Sequence, residues 1–190
     1  MTSLQKKQQE LNELYELYLD HFPCPLGRTD QHNVIFGSGN INAQFMIIGE
    51  APGKNEEEQG LPFVGRSGKL LTQCLTTLGF KRDNVFITNI VKCRPQNNRT
   101  PTKQEVALYK NLLLKQIEII KPSVICTLGS TATQALLTKN SKISLHRGII
   151  YYFNSIPVIP TYHPAYILRN LKKLSEFIQD LKTATTFIQK

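Results

Sequence analysis

Three short blocks of this sequence carry the residue types that could bind and transform a ligand. The first, residues 49–65 (GEAPGKNEEEQGLPFVG), leaves an apolar run and is rich in proline and glycine. Pro52 and Pro62 restrict the backbone, while the glycines permit turns and close approaches that a side chain would block. Phe63 therefore presents an aromatic face from a rigid position. We interpret this block as part of a ligand site; the alternative is an ordinary loop between a strand and a helix, with Phe63 in the core.

The second block, residues 88–102 (TNIVKCRPQNNRTPT), places Asn89 at the end of another apolar run. An amide offers an acceptor and two donors, so Asn89 could read a nucleobase edge with two hydrogen bonds. Lys92, Arg94 and Arg99 are of the type that binds phosphates. Alternatively, Asn89 only caps a turn.

The third block, residues 161–170 (TYHPAYILRN), contains His163, an apolar step and then Arg169. A histidine is the side chain most readily tuned near neutral pH, although an isolated one usually has a structural role.

The elements that position these blocks follow from hydrophobic periodicity. Leucines and tyrosines at helical spacing predict an N-terminal helix that ends near Phe22 and Pro23. Apolar runs predict buried strands at residues 45–48, 85–90, 124–128 and 157–161, and periodic segments predict helices at about 67–78, 103–120 and 130–137. This alternation indicates an α/β domain with helices on both faces of a parallel sheet, and with its site at the carboxyl ends of the strands.

Composition narrows the class of protein. The chain has 190 residues, which we interpret as a single domain spanning 1–190 with an N-terminal helix at 1–22. The net charge of +9 favours a polyanionic partner, and nucleic acid is the leading candidate. The sequence shows neither a signal peptide nor a membrane-spanning run, so we expect a soluble protein of the cytoplasm, associated with the nucleoid. The four cysteines are expected to be reduced thiols.

Taken together, the blocks resemble the uracil-DNA glycosylase superfamily, most closely its iron-sulfur, thermophile-type branch, known as family 4. The resemblance extends from about residue 24 to the C-terminal helix. It rests on GEAPG with LPFVGRSGKLL, on TNIVKCRPQNNRTP, on KPSVICTLGSTATQALL, on HRG at residues 146–148 and on PTYHPAYILR. It implies a three-layer α/β/α fold around a four-stranded parallel sheet. It also implies a monofunctional enzyme that hydrolyses the N-glycosidic bond of deoxyuridine in DNA, releases uracil and starts base-excision repair.

The resemblance assigns roles to the pocket residues. Phe63 would stack on the flipped uracil, and Asn89 would bind its Watson-Crick edge. The backbone around Glu50 and Ala51 would contact the pyrimidine or the deoxyribose. His163 would stabilise the negative charge that develops on uracil O2 as the bond breaks.

The resemblance also implies contacts with the DNA backbone and a wedge that fills the vacated space. Ile167 is the expected wedge. The expected backbone contacts are Ser67, Lys92, Arg147 and Arg169, with Lys69 as a weaker candidate. The partner would be uracil-containing DNA, single- or double-stranded, bound by a monomer.

This chain departs from the superfamily pattern at the residue that positions water. The best-known branch has an aspartate where this chain has Ala51, so Glu50 becomes the candidate, with Asn89 as an alternative. Glu50 could instead cap the next helix.

A second departure concerns the metal. In family 4, four cysteines hold a [4Fe-4S] cluster; Cys24 and Cys93 match two of them, whereas His21 and Tyr109 stand at the other two positions. Cys74 and Cys126 lie elsewhere in the sequence. Since such clusters are normally held by four thiolates, we expect no cofactor. The alternative is a [4Fe-4S] cluster with non-standard ligation, with Cys24, Cys93 and His21 as a remnant site.

The sequence is also compatible with two related functions. Gly53 replaces a bulky residue that blocks the thymine methyl group in the best-known branch, so one alternative is a glycosylase with altered specificity for deaminated bases. Another is a non-catalytic DNA-binding protein of the same fold. A related branch traps DNA through a histidine near position 98, but Asn97, Asn98 and Arg99 stand here, so we expect turnover.

Overall fold

The computed structural model of this chain describes residues 2–21, 34–137 and 142–188. The helices in these ranges are α1 (Ser3–His21), α2 (Lys54–Gln59), α3 (Arg66–Thr77), α4 (Lys103–Ile120), α5 (Ser130–Leu137), α6 (Pro164–Arg169) and α7 (Leu174–Thr185). The strands are β1 (Ser38–Gly39), β2 (Phe45–Gly49), β3 (Phe86–Asn89), β4 (Val124–Leu128), β5 (Tyr151–Phe153) and β6 (Ile156–Thr161). Short 3-10 turns connect several of them.

The strands form one six-stranded sheet in the order β1-β3-β2-β4-β6-β5. The central strands β3, β2, β4 and β6 are parallel, whereas β1 and β5 pair antiparallel at the two edges. The α/β class and its four parallel strands are therefore confirmed. The two edge strands were not predicted; they have only 2 and 3 residues.

Helices cover both faces of the sheet, which makes three layers. Side chains of a strand alternate between faces, and in β2 Met46 and Ile48 pack into one core while Phe45 and Ile47 pack into the other. The first core includes Leu112 of α4, and the second includes side chains of α3 and α7. Burial on both faces explains why the central strands read as continuous apolar runs.

The helix bounds agree closely with the predicted ones where the sequence carries a clear start signal. Thr102 accepts a hydrogen bond from the backbone N–H of Glu105 and donates its own N–H to the Glu105 carboxylate, at 3.2 and 2.7 Å. This capping box starts α4 at Lys103, as predicted. The N-terminal helix extends to His21; Phe22 and Pro23 lie outside the described residues. The short helix α2 was not predicted.

The register brings the ends of the parallel strands to one edge of the sheet. Gly49 at the end of β2 lies opposite Asn89 at the end of β3, and Leu128 at the end of β4 lies opposite Thr161 at the end of β6. The residues that follow these strands therefore converge, as expected for a parallel sheet. Within the described ranges, no helix is both long and apolar enough to cross a membrane.

Candidate active site

A cleft of about 660 Å³ opens at the carboxyl ends of the parallel strands. Its lining includes all five predicted substrate-binding residues: Glu50, Ala51, Phe63, Asn89 and His163. Ser67 and Arg169, two of the predicted DNA contacts, also line it. The fold thus brings together residues that are more than a hundred positions apart in the sequence.

Asn89 lies at the bottom of this cleft, with only 1% of its surface exposed. Its Oδ1 atom is buried and has no hydrogen-bond partner among the described residues. An unpaired buried acceptor costs free energy unless a ligand satisfies it. Asn89 therefore does not serve as a turn cap, and its amide oxygen is available to a ligand with an N–H group.

Gly49 allows Phe63 and Asn89 to approach each other. A Cβ at residue 49 would lie 2.4 Å from Asn89 Oδ1 and 2.4 Å from the Phe63 ring. Since real contacts of this kind are not found below about 3 Å, a side chain here would displace one of the two. Glycine is thus required at the end of β2 for the pocket to form.

Phe63 occupies a left-handed backbone conformation, with φ of 53°, which is uncommon for an aromatic residue. The guanidinium of Arg82 holds this backbone: Nη1 donates to the Phe63 carbonyl at 3.0 Å, and Nη2 donates to the Pro62 carbonyl. Gly68 allows α3 to pack against the same peptide, because a Cβ there would lie 1.8 Å from the Phe63 oxygen. Such local strain is typical of functional sites.

The Phe63 and His163 rings face the same space. Their centroids are 5.8 Å apart and their planes are inclined by 35°. A flat ligand lying on Phe63 would therefore have the edge of His163 beside it. Phe63 is only 6% exposed, so packing within the protein holds the ring in place without a ligand.

His163 is both the N-cap of α6 and a wall of the cleft. Its Nδ1 accepts a hydrogen bond from the backbone N–H of Ala165 at 3.1 Å. Burial lowers the pKa of His163 from its ordinary value to about 4; the positive charge of Arg169 acts in the same direction, and Glu56 opposes it. The ring is therefore neutral at pH 7, and since Nδ1 is an acceptor, the proton resides on Nε2.

Glu50 follows β2 and lines the cleft with its side chain hydrogen-bonded to Thr131, whose Oγ1 donates to Oε2 at 2.5 Å. The alternative of a helix cap does not hold. The N-cap of α2 is Gly53, and its N–H donates to the carboxylate of Glu56 at 3.2 Å. The Glu50 carboxylate is thus not a helix cap and remains on the lining of the cleft.

Glu56 organises the loop that carries Phe63. Its Oε1 accepts hydrogen bonds from the backbone N–H groups of Val64 and Gly65 at 2.9 and 2.8 Å. These bonds tie the start of α3 to α2. Sequence reasoning missed this role, although the acidic run after GEAPG was visible.

Lys92 is not a DNA contact, because its side chain is completely buried. Its Nζ donates to Thr88 Oγ1, to the Asn89 carbonyl and to Gln116 Oε1 at 2.6, 2.7 and 2.6 Å. Burial holds the pKa of this amine well below its ordinary value. Lys92 instead fixes the chain beneath Asn89, which corrects the sequence-based expectation.

Ile167 is likewise not the wedge, since it is 0% exposed and packs in the core beneath α6. Within the apolar step 166–168, Tyr166 lines the cleft and is 37% exposed. Its ring stacks on Tyr162 with centroids 5.0 Å apart. A helix buries one face only, and the sequence run 166–168 does not tell which residue faces inward.

Arg147 is engaged inside the protein, in contrast to the predicted phosphate contact. Its Nε donates to Asp180 at 2.9 Å, and Nη2 donates to Asp180 and to the Glu176 carbonyl. Asp180 is almost completely buried and also accepts from Thr161 Oγ1 at 2.6 Å. Arg147 therefore ties the turn before β5 to α7, and Asp180 ties α7 to the end of β6. Lys69 is exposed on α3 but does not line the cleft.

The described part of the proposed cluster region does not fit a [4Fe-4S] group. Tyr109 stands where the family has a cysteine, and its hydroxyl donates to Cys93 Sγ at 3.1 Å, both side chains being buried. A thiol bound to a phenol does not supply the thiolates that such a cluster requires. Cys24 and the side chain of His21 lie outside the described residues. In the described ranges, no three histidine, cysteine or acidic side chains come together as a metal site.

Arg66 and Thr100 also line the cleft and were not singled out as contacts from the sequence. Arg99, which the sequence placed among the phosphate-binding types, lines it as well and is paired with Glu105 at 2.5 Å. Arg66 directly precedes Ser67 in the GRSGK segment, so the motif itself could have pointed to it. Thr131 and Arg82 act on Glu50 and Phe63 from a distance in sequence, and no local pattern signals them.

Comparison with known proteins agrees with this geometry. Residues 36–182 match the family model described as the uracil DNA glycosylase superfamily. The type-4 uracil-DNA glycosylase of Thermotoga maritima is 44% identical over 173 residues, covering 88% of this chain and 88% of the relative. The type-4 enzymes of Pyrobaculum aerophilum and Sulfurisphaera tokodaii are 41% and 43% identical, covering 90% and 93% of this chain and 91% and 81% of those proteins. The chain belongs to the uracil DNA glycosylase superfamily.

Proposed function

We propose that this protein is a monofunctional uracil-DNA glycosylase, which hydrolyses the N-glycosidic bond of deoxyuridine in DNA, releases uracil and leaves an abasic site for base-excision repair. The observation that carries this proposal is the unpaired, buried amide oxygen of Asn89 in a cleft bounded by Phe63 and His163. The type-4 uracil-DNA glycosylases that resemble the chain over about nine-tenths of its length support it.

Recognition of the base follows from the pattern of donors and acceptors. Uracil presents an N3–H donor beside the O4 acceptor, so Asn89 Oδ1 can accept from N3–H while Nδ2 donates to O4. Cytosine presents the opposite pattern at both positions. A buried polar group left unpaired is costly, so the same amide rejects cytosine. Phe63 provides the surface on which the base, rotated out of the stack, lies.

His163 acts on the leaving group. As the bond between C1′ and N1 breaks, its electron pair moves to the uracil ring and negative charge develops on O2. The Nε2–H of the neutral imidazole donates a hydrogen bond to this oxygen without transferring its proton. A preorganised donor in a desolvated site is among the strongest means of stabilising such charge.

Glu50 acts on the attacking water. The sugar becomes cationic at C1′ as uracil leaves, and water adds to that carbon. The Glu50 carboxylate orients the water, accepts its proton and stabilises the positive charge. Uracil leaves as an anion that takes up a proton from solvent, so the net reaction consumes one water molecule. No step uses a lysine or a covalent intermediate, so strand cleavage is not part of the reaction.

DNA binding rests on charge and on Tyr166. Ser67 and Arg169 line the cleft, which supports their assignment as contacts to the phosphates that flank the flipped nucleotide. The net charge of +9 adds long-range attraction. Tyr166 takes the wedge role that the sequence assigned to Ile167, because it is the exposed ring beside His163.

The protein would act as a monomer on the DNA of the nucleoid and without a cofactor. The pairing of Tyr109 with Cys93 supports the absence of a [4Fe-4S] cluster, as argued above. The proposed reaction needs no cofactor, since uracil, His163, Glu50 and water account for every bond that changes.

The test is release of free uracil from an oligonucleotide that carries one deoxyuridine, with alkali used to reveal abasic sites. We expect release in the presence of EDTA and no stable protein-DNA adduct on a denaturing gel. A parallel panel with hypoxanthine and other deaminated bases tests altered specificity. Equal binding of normal and uracil-containing DNA without base release would indicate the non-catalytic alternative and contradict the proposal.

A further inference from the structure

The hydroxyl of Thr131 and the carboxylate of Glu50 form a hydrogen bond of 2.5 Å at the edge of the cleft. The two residues are 81 positions apart, and the fold brings them together because β2 and α5 end and begin at the same edge of the sheet. Glu50 lines the cleft, whereas Thr131 does not. Any effect of Thr131 on the reaction therefore passes through Glu50.

The attachment of α5 does not depend on this bond. Ala132, Thr133 and Leu136 are the buried residues of the helix. Thr133 Oγ1 also donates to the Gly129 carbonyl at 2.8 Å and is 2.9 Å from Thr127 Oγ1. Thr131 is only partly buried, and its hydroxyl bonds to Glu50 rather than within the core.

A glutamate side chain that must orient a water molecule has a conformational problem. It has several rotatable bonds, and holding it in one geometry costs side-chain entropy. A hydroxyl donor on Oε2 fixes the carboxylate and leaves Oε1 for the water. Thr131 lies in the first turn of α5, where the helix dipole also favours a nearby negative charge.

We infer that Thr131 is a positioning residue, which holds the Glu50 carboxylate in the orientation that activates water for attack on C1′. This inference rests on the role proposed above for Glu50. It adds a residue that neither lines the cleft nor belongs to the blocks on which the sequence analysis placed catalysis.

The test is a double-mutant cycle on uracil release, measured in single turnovers over a range of enzyme concentrations up to saturation, so that the maximal rate of the chemical step and KM are both obtained. Thr131→Val has nearly the same shape without the hydroxyl, and Thr131→Ser keeps the hydroxyl. We expect Thr131→Val to lower the maximal rate about tenfold with KM changed less than about twofold, and Thr131→Ser to stay within about threefold of the wild type. In the Glu50→Ala background, Thr131→Val is expected to have no further effect.

Thr133→Val is the matched structural control, because it removes a hydroxyl from the same helix that bonds only within β4 and the start of α5. It should lower stability in urea without changing the maximal rate. The inference is overturned if Thr131→Val releases uracil at the wild-type rate, or if it slows release equally in the Glu50→Ala background. If the wild type releases uracil but Glu50→Ala is as fast, the role of Glu50 is wrong and the inference falls with it. No release by the wild type would instead contradict the proposed function.

Discussion

The backbone N–H of Ala165 donates to Nδ1 of His163 at 3.1 Å, and this bond determines which ring nitrogen carries the proton. Because Nδ1 is occupied as an acceptor, the neutral ring is protonated at Nε2, on the side that faces the cleft. The N-cap of α6 thus serves two purposes. It starts the helix, and it leaves the ring a neutral hydrogen-bond donor, which in the proposed mechanism binds uracil O2.

The pH dependence of the reaction should reflect this arrangement. The pKa of His163 is lowered to about 4, so the neutral form predominates at every pH above that value. We expect kcat/KM to show no loss centred near pH 6.5, and to fall through protonation of His163 only as the pH drops toward 4. A pH profile of single-turnover rates checks this. A loss centred near pH 6.5 that disappears in His163→Ala would contradict it.

Tyr166 should matter for duplex DNA far more than for single strands. A wedge offsets the cost of unpairing and unstacking a base, which is larger in the duplex than in a single strand. Tyr166→Ala is expected to lower kcat/KM about tenfold on double-stranded substrate and less than about threefold on single-stranded substrate. Tyr152→Ala, which removes an exposed ring from edge strand β5, is the matched control and should change neither. Equal losses on both substrates would show that Tyr166 is no wedge.

Substitution of Arg147 should affect stability, whereas substitution of Arg169 should affect DNA binding. Arg147 is paired with the buried Asp180, so Arg147→Met is expected to lower the free energy of unfolding by on the order of 3 kcal/mol. Arg169→Met should leave stability nearly unchanged and weaken DNA binding. It should also reduce the slope of log Kd against the logarithm of the salt concentration by about one. Urea unfolding and DNA titrations at several salt concentrations measure both. A reduced salt slope in Arg147→Met would restore it as a phosphate contact.

Much of this fold could be predicted from the sequence because its central strands are buried on both faces and its helices begin at strong signals. The runs at 45–48 and 124–128 and the capping box before Lys103 are examples. The edge strands were missed, since two or three residues at a sheet edge leave no periodic pattern. Helix α2 was also missed.

The site divides in the same way. Asn89 and His163 were predictable because each lies at or just after the end of a strand within a distinctive block. Lys92 and Ile167 were misassigned, since a lysine in a basic segment and an isoleucine in an apolar step give no indication of which way they point. Burial of Lys92 depends on Gln116 of α4, whose contribution is a tertiary contact that no local pattern reveals.

The purified protein should contain no stoichiometric iron-sulfur cluster. The Tyr109 hydroxyl is bonded to Cys93 Sγ, and a phenol is a poor substitute for a cluster thiolate. We expect iron and acid-labile sulfide assays on anaerobically prepared protein to give far less than one cluster per chain. Near-stoichiometric iron and sulfide with a visible absorption band would overturn the expectation. Tyr109→Phe, which removes only the hydroxyl, should retain the wild-type rate of uracil release.

In the proposed mechanism, the Asn89 amide recognises uracil and the His163 imidazole promotes its release. The most direct measurement compares uracil release from DNA carrying one deoxyuridine by the wild type, Asn89→Ala and His163→Ala, with Asn42→Ala as a control. Asn42 is exposed just before β2, at the opposite end of the strand from the cleft. We predict that Asn89→Ala and His163→Ala each lose on the order of 100-fold or more in the rate of release while Asn42→Ala matches the wild type. Wild-type rates in Asn89→Ala or His163→Ala, with each variant folded, would contradict the account.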